Sequence, residues 1–257
     1  GTVQHWKPDK EVFTDIDIPL EFFQDVLNKQ AMVNAGLKFV LYNETAQGME
    51  MYEYFYEKGI SDYVAQTVGD NGFTTIETWE CERVGRDRED KEDYKMKMQI
   101  AFCFSNTVNM LEYYHNSSFL EHGGSPDKAV RNAFVYAVDR YLKSNNKYNK
   151  NESKINFSDV ADCLVLVISS FSTQTSYENQ TKKAINNKFI QEAMTEFLRH
   201  HLEVYFIENK TDAEKIANQV LVNKRSRENA EKARIDIKKK LTGSMDVTNR
   251  VEKFVDC

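Results

Sequence analysis

The feature that most constrains the fold is an apolar run near the middle of the chain, Cys163-Leu164-Val165-Leu166-Val167-Ile168-Ser169-Ser170. The run has no charged side chain and no alternation of polar and apolar residues. A strand covered on both faces has this composition, because each of its side chains meets another layer of the protein. The run therefore predicts a central strand in a layered fold.

A second strand is predicted from strict alternation between Tyr94 and Phe104, where apolar side chains occupy every second position. These alternate with Lys95, Lys97, Gln99 and Ala101, which predicts one buried and one mostly solvated face. The expected partner strand is 75–83, around Trp79 and Cys81. The eight charged residues 86–93 that lie between the two strands predict a solvated hairpin tip.

Two helices are predicted in the first 150 residues. The first begins after Asp17 and Pro19 and ends before Gly36, and a strand over residues 37–42 should follow it. The second covers residues 126–142, with Ser125 as its N-cap and Pro126 at its first position. Residues 144–156 are rich in Asn and Lys and predict a mobile surface loop.

The last third of the chain is predicted to be helical. Residues 172–187 are polar and show no period, but apolar residues recur at helical spacing from Phe189 to Leu202. A longer helix should begin at a cap, Thr211 or Asp212, run to about Leu241 and stop at Gly243. The predicted order is mixed α/β for residues 1–187, followed by two terminal helices.

Composition narrows the class of protein. The chain has 257 residues, 41% of them hydrophobic, with 10 Gly and 3 Pro, which excludes collagen-like and low-complexity proteins. No apolar run is long enough to span a bilayer, and the first ten residues do not resemble a signal peptide. The four cysteines form no CxxC pair, so free and mostly buried thiols in a reducing cytoplasm are expected.

Charge is distributed unevenly along the chain. The formal net charge is −6, but residues 222–241 hold eight basic and three acidic side chains, a net charge of +5. Such a stretch is either a solvated helix face or a surface that binds phosphates. The sequence leaves both interpretations open at this point.

Familiar catalytic motifs are absent from the sequence. It contains no GxxxxGK[ST], HExxH, GxSxG or strand-linked GxGxxG, and its five histidines lack a metal-binding spacing. Two loops merit interest. Gly123-Gly124-Ser125-Pro126 precedes a helix and is able to hold an anion or a neighbouring chain turn, although a plain strand-to-helix turn is the simpler interpretation. Gln180-Thr181-Lys182 places a neutral donor and a cation on an exposed loop, which suits a terminal phosphate.

Several short segments form an ordered set that spans the chain. The set opens with Gly1, Thr2, Trp6, Pro8 and Asp9 and continues with Asn34-Ala35-Gly36-Leu37, Gly123-Gly124, Asp159-Val160, Val167-Ile168-Ser169, Gln180-Thr181-Lys182, the run from Arg227 to Arg234, and Asp256-Cys257. In this order the segments resemble the transducer domain of type IIA topoisomerase B subunits, the family of DNA gyrase B and its topoisomerase IV counterpart. The opening residues are similar to that family's GT-x-x-x-F-x-PD sequence.

Two matches are incomplete. The family's Glu-Gly-Gly-Thr-His corresponds to His122-Gly123-Gly124-Ser125-Pro126, and its Asp-Val-Arg-Glu-Gly corresponds to residues 159–163. No family role is therefore transferred to positions 122, 126, 161 or 162. Gyrase and topoisomerase IV remain equally open.

The resemblance implies a two-layer α/β fold, the transducer fold of the GHKL ATPases. That fold is similar to the second domain of ribosomal protein S-five, has a left-handed crossover and is followed by long C-terminal helices. It implies a transducer domain over residues 1–210, a linking helix over 211–242, and the start of a connection to a TOPRIM domain over 243–257. The chain would then be a fragment between an ATPase domain and that TOPRIM domain.

The resemblance also implies a function, which is to couple ATP hydrolysis in the preceding domain to movement of the DNA gate and strand passage. Gln180 and Lys182 would bind the γ-phosphate, and Lys182 would take part in hydrolysis. ATP and Mg²⁺ would be bound by the full-length enzyme, with no metal on this fragment, which alone would be inactive. The linking helix would face DNA through Lys224, Arg225 and Arg227.

Expected partners are DNA, the topoisomerase A subunit and a second copy of the B subunit, in the cytoplasm near the nucleoid and without a membrane. Two alternatives remain. One is a standalone nucleic-acid-binding or scaffold protein of the same fold, because folds are reused for unrelated functions. The other is a small-molecule enzyme, which would need a pocket with convergent polar groups.

Overall fold

The computed structural model describes residues 1–248, with the side chains of residues 1–242. The expected family match at Asp256-Cys257 lies outside the described residues. The described elements are, in chain order, α1 (Leu20–Val33), β1 (Phe39–Thr45), β2 (Gly48–Tyr54), α2 (Ile60–Val68), β3 (Glu77–Gly85), β4 (Tyr94–Phe104), β5 (Met110–His115), β6 (Ser118–Phe119), α3 (Ser125–Ser144), α4 (Phe157–Ala161), β7 (Leu164–Ser172), α5 (Lys188–Glu208) and α6 (Lys210–Thr248).

The apolar run forms β7, the central strand of a five-stranded sheet with the order β3-β4-β7-β5-β6. The predicted hairpin is also present, because β3 and β4 pair antiparallel with Trp79 opposite Ile100. Strand β5 runs parallel to β7, so the chain between them must cross over the sheet through α3 and α4. The mixed α/β class is confirmed, and the hand of this crossover stays a prediction.

Two hydrophobic layers cover the sheet, one on each face. Leu164, Leu166 and Ile168 of β7 point into the larger core with α3, α5 and α6. Val165 and Val167 point into a smaller core with α1 and α2. This arrangement explains the apolar run, since successive side chains of a strand alternate between faces and here both faces are buried.

The second face of β4 is less solvated than predicted. Lys97 and Gln99 are at least partly exposed, as expected, but Ala101 and Cys103 are fully buried under the smaller core. The difference arises because α2 packs across only one end of the sheet, a tertiary contact that the alternation cannot reveal. Cys81, Cys103 and Cys163 are free thiols, and the latter two are buried, as predicted.

The helix boundaries differ from prediction in three places. Asp17 lies where the sequence predicts a capped helix start, but the N-cap position of α1 is taken by Pro19 and no side chain caps the helix. Helix α6 begins at Lys210, before the predicted caps Thr211 and Asp212. The same helix continues through Gly243, so this glycine does not end it. A glycine weakens a helix by only about 1 kcal/mol, which neighbouring helix formers can offset.

Helix α6 changes surroundings along its length. Ala213, Ile216, Ala217 and Val220 are fully buried in the larger core. Residues 229–242 are exposed on every side. The first half of α6 is therefore part of the same packed body as α3 and α5, and the second half projects from it. The division of the chain at residue 210 stays a prediction.

Candidate functional site

Gln180 and Lys182 lie at the end of a hairpin-like loop that connects β7 to α5. Two hydrogen bonds close the 176–186 loop, from the N–H of Glu178 to the Ala184 carbonyl (3.0 Å) and from the N–H of Asn186 to the Ser176 carbonyl (2.9 Å). Tyr177 and Ile185 form an antiparallel bridge between the same hydrogen bonds. The polar segment 172–187, which shows no helical or strand period in the sequence, thus contains an ordered projecting loop.

A tight turn forms the tip of this loop. The Lys182 N–H donates to the Asn179 carbonyl over 3.3 Å, and the Thr181 N–H donates to the Asn179 side-chain oxygen over 3.2 Å. Lys182 itself has a φ of +56°, a backbone conformation that residues other than Gly, Asn and Asp seldom adopt. Both Gln180 and Lys182 are exposed, so the turn directs them away from the body of the protein.

The Lys182 ammonium has no internal counterion among the residues that the structure describes. Its nearest recorded partner is the Tyr177 ring, with 5.6 Å between Nζ and the ring centroid. The adjacent Lys183 differs, because its ammonium forms an ion pair with Glu121. Lys182 is therefore the cation of this tip that remains available to an external anion.

The base of the loop is fixed to the Gly123-Gly124 turn. Gly124 has a φ of +81°, and a Cβ at this position would lie 2.1 Å from the Ile185 carbonyl oxygen. The Ser125 N–H donates to that oxygen over 2.8 Å, and the Ser125 hydroxyl donates to the Asn187 carbonyl over 2.8 Å. Of the interpretations of this turn, contact with a neighbouring chain segment is the one observed.

The role predicted for Ser125 was wrong in detail. Gly124 occupies the N-cap position of α3, and Ser125 is the first helical residue. Its hydroxyl is used across the fold instead of capping its own helix, because the segment that leads into α5 passes directly over the helix start. Pro126 still lies in the first turn, where its missing N–H costs nothing.

A buried histidine holds the other end of the loop segment. His115 is fully buried, with Nδ1 2.8 Å from the Ser170 hydroxyl and Nε2 3.0 Å from the hydroxyls of Ser172 and Thr175. Burial lowers the pKa of His115 to about 4, so the ring is neutral near pH 7. The Ser–His contact is sealed from solvent and cannot meet a substrate. Sequence reasoning missed it because the partners lie more than fifty residues apart.

Lys224 and Arg225, in the basic stretch, form ion pairs within the protein, with Lys224 buried and the Arg225 side chain 43% exposed. The Lys224 side chain has no exposed surface, and its ammonium lies 3.3 Å from Glu152 and 2.8 Å from Glu228. Arg225 donates two hydrogen bonds of 3.0 Å to the Glu152 carboxylate. Burial therefore prevents Lys224 from reaching a DNA phosphate in this conformation, contrary to expectation.

Arg227 is also paired internally. It donates hydrogen bonds of 2.6 Å and 3.1 Å to the fully buried Asp159 carboxylate. Asp159 also takes part in the capping box of α4 with Asn156. Two matches to the family, Asp159 and Arg227, are thus partners in one ion pair that joins α4 to α6. This role does not require DNA.

The loop expected to be mobile, residues 144–156, is tied to α6 by the same contacts. Glu152 accepts hydrogen bonds from Arg225, from the Asn149 N–H and from Lys224, and these lower its pKa to about 2. We call Glu152, Asp159, Lys224, Arg225, Arg227 and Glu228 the ion clamp. It holds the middle of α6 against the body of the protein.

The projecting half of α6 carries the basic side chains that the ion clamp does not use, which are Lys232, Arg234, Lys238, Lys239 and Lys240. All are exposed, and none forms an ion pair with the side chains of residues 1–242. Glu231 and Asp236 are the acidic residues of the same segment. This surface is positively charged and free to meet a polyanion.

The part of the chain that the structure describes holds neither a candidate metal cluster nor a helix able to cross a membrane. No group of three or more His, Cys, Asp or Glu side chains in that part is placed to hold a metal ion. None of the described helices combines the length and hydropathy that crossing a bilayer requires.

Comparisons with known proteins agree on one family. A family profile described as DNA gyrase B matches residues 59–235. The DNA gyrase B subunit of Mycoplasma genitalium is 24% identical over the whole chain, which covers 40% of that protein. The subunit of Streptococcus pyogenes is 28% identical, again over the whole chain and 38% of the relative. The chain thus spans about 40% of the length of these relatives.

Solved structures show the same fold. The 43K ATPase domain of Thermus thermophilus gyrase B, in complex with an aminocoumarin, aligns with a TM-score of 0.63 and 19% identity over 89% of this chain and 59% of that one. The topoisomerase IV ATP-binding domain of Francisella tularensis, with a small-molecule inhibitor, also aligns with a TM-score of 0.63, at 20% identity over 86% of this chain and 57% of that one. Together with the family profile, these matches show that the chain belongs to the DNA gyrase B family.

Proposed function

We propose that this chain is the transducer of an ATP-dependent type IIA topoisomerase B subunit, and that Lys182 detects the terminal phosphate of ATP bound by another domain. One observation carries the proposal. Lys182 is an exposed cation without an internal counterion, on the tip of a projection whose base is fixed to the central sheet and to α3. A fixed base and an available charge are what a sensor of an external anion needs.

The residues at the tip fit a triphosphate. The compact ammonium of Lys182 suits a phosphate oxygen, and the Gln180 amide offers a neutral donor two residues away. When bound, ATP supplies the terminal phosphoryl group whose release drives the cycle. Gln180 would orient that group, and Lys182 would stabilise the charge that develops on it during hydrolysis. Mg²⁺ would bind together with ATP in the preceding domain of the full-length protein.

The fold offers a rigid path from the tip to α6. The loop leads directly through Asn187 into α5, and α5 packs with α3 and α6 in the larger core. The ion clamp then holds α6 to α4 and the 149–153 segment. A change in how the Lys182 tip is held would therefore turn the body and α6 together, which is how a rigid-body switch acts.

The test is a pair of variants in the full-length protein. Lys182→Ala should reduce the kcat for ATP hydrolysis by at least a hundredfold and change the Kd for ATP by less than tenfold, because the contact strengthens in the transition state. Lys183→Ala is the matched control, since Lys183 is adjacent but paired with Glu121. It should retain near-normal turnover. Normal turnover in Lys182→Ala would refute the proposal.

DNA, a topoisomerase A subunit and a second copy of the B subunit are the partners that this proposal requires. DNA would be met by the exposed basic end of α6 rather than by the ion clamp, because phosphate contact needs a cation that is not already paired. This assignment replaces Lys224, Arg225 and Arg227 with Lys232, Arg234, Lys238, Lys239 and Lys240 as the DNA-facing set.

A further inference from the structure

The tip of the β3–β4 hairpin reaches the base of the 176–186 loop. The sequence predicts this tip to be solvated, and most of it is exposed, but Asp87 turns inward. Its Oδ2 accepts a hydrogen bond of 2.8 Å from the Asn187 side chain, and its Oδ1 accepts one of 2.9 Å from the Phe189 N–H. One carboxylate thus joins the hairpin to the residue that follows the loop and to the first turn of α5.

Asn187 connects Asp87 to the 176–186 loop through a second hydrogen bond. Its side-chain oxygen accepts a hydrogen bond of 2.8 Å from the Ser176 N–H, and only 2% of the residue is exposed. Ser176 begins the loop and Asn187 follows its end, so one side chain ties the two strands of the projection together. The orientation of the Asn187 amide is fixed because its nitrogen must donate to Asp87 and its oxygen must accept from Ser176.

The surroundings keep Asp87 in place. Tyr94, which is almost fully buried, donates its hydroxyl to Asp87 over 2.9 Å and accepts from Asn187 over 3.0 Å. The Phe189 ring packs against Gly85 so closely that a Cβ there would lie 2.4 Å from the ring. The hairpin cannot move away from the loop base without breaking these contacts.

We propose that Asp87 and Asn187 are positioning residues for Lys182, because they set the height and direction of the 176–186 loop through the Asp87–Asn187–Ser176 hydrogen bonds. This inference rests on the proposed function for its catalytic consequence. It gives a role to a charged hairpin tip about a hundred residues from the loop in sequence.

The first measurement is amide hydrogen exchange of the loop in the full-length protein. Asp87→Asn replaces one carboxylate oxygen with an NH₂ group, so in either orientation of the new amide one donor faces another donor. Exchange of the Glu178 and Asn186 amides should rise about tenfold, the effect of losing one charge-assisted hydrogen bond. Asp90→Asn is the matched control, because Asp90 lies on the same tip but is 66% exposed. In Asp90→Asn, exchange of the Glu178 and Asn186 amides should change by less than twofold.

The second measurement asks whether swapping the residues at positions 87 and 187 restores the wild-type behaviour of the loop. The double variant Asp87→Asn/Asn187→Asp restores a donor opposite an acceptor at the 87–187 contact and keeps an acceptor for the Ser176 N–H. It should return loop exchange to within about threefold of the wild-type rate. A merely destabilising effect of Asp87→Asn would not be reversed by changing a second buried residue. The rescue also keeps the test valid if the single variant folds poorly.

The third measurement is ATP turnover by the same variants. Asp87→Asn should lower kcat about tenfold with Kd for ATP within twofold, and the double variant should recover most of it. Unchanged loop exchange in Asp87→Asn overturns the inference whatever Lys182→Ala does. Altered exchange with normal turnover also overturns it. If Lys182→Ala itself turns over normally, the proposed function fails, and Asp87 then anchors a loop without a catalytic role.

Discussion

Two groups of basic residues in this protein share a charge but have opposite surroundings. Lys182 stands on an exposed turn with an aromatic ring as its nearest partner, and Lys224 is fully buried between two carboxylates. Both look alike in the sequence. The comparison teaches that a cation is available to an external anion only where the fold leaves it without an internal one, so the same residue type is exposed and unpaired in one place and holds two elements together in the other.

The largest stability effect should come from breaking the ion clamp. Glu152→Gln removes the carboxylate that both Lys224 and Arg225 contact, which leaves a buried ammonium with Glu228 alone. Loss of one partner from a buried pair costs about 3 kcal/mol. Urea unfolding should show a lower free energy of unfolding for Glu152→Gln than for the wild type, by about this amount.

Urea unfolding should also distinguish the ion clamp from charged side chains that are exposed. Glu231→Gln, on the exposed part of α6, and Lys182→Ala should each change the free energy of unfolding by less than about 0.5 kcal/mol. Equal stability of Glu152→Gln and the wild type would show that the clamp does not hold α6.

Acid should weaken the clamp in a defined range of pH. The pKa of Glu152 is about 2, depressed chiefly by its hydrogen bonds with Arg225, so its folded-state value lies below its unfolded value of about 4.3. Its stabilisation is complete above that unfolded value and is lost as the pH falls toward 2. Thermal unfolding of the wild type and of Glu152→Gln should differ most above pH 4.5 and converge toward pH 2.

His115 contributes in a neighbouring range. Its folded pKa is about 4, below the ordinary value, so its contribution is present above about pH 6.5 and declines as the pH falls to 4. This decline should be equal in the wild type and in Glu152→Gln. A gap between the two proteins that begins to close at pH 6 would contradict the assignment of the lower range to Glu152.

The smallest stability effect, and a clear binding effect, should come from the projecting end of α6. Substitution of Lys238, Lys239 and Lys240 by Gln should leave unfolding within about 0.5 kcal/mol, because these side chains are exposed. If each contacts a phosphate, the slope of log K against log salt for DNA binding falls by about 0.9 per residue. Lys224→Met should leave the slope unchanged. An unaltered slope in the triple variant would exclude this surface.

Much of the fold follows from local pattern. The apolar run predicted β7, and the alternation predicted β4 and its pairing with β3. The helices α1, α3, α5 and α6 were predicted from the spacing of apolar residues and from the Gly, Pro and capping residues near their ends. The strand predicted over residues 37–42 corresponds to β1, but its pairing with β2 and the elements α2 and β5 were missed. The missed elements lack a long periodic stretch, and α2 is held by the smaller core rather than by its own propensity.

The candidate site divides in the same way. Gln180 and Lys182 were singled out from residue type and from the family resemblance, because an exposed polar loop needs no long-range partner to be recognised. Asp87, Asn187 and His115 were not, since their contacts join segments 55 to 100 residues apart. The basic stretch was visible as charge, but its partners Glu152 and Asp159 lie far upstream.

The sequence by itself determined the layered α/β class, the central strand and the position of an exposed cation after it, because the pattern of apolar and polar residues is a local property of a chain. Only the tertiary structure decided which cations are available and what orients the loop that carries Lys182. The physical reason is that an ion pair depends on which distant carboxylate arrives within about 4 Å, and that distance is set by packing, not by the order of residues.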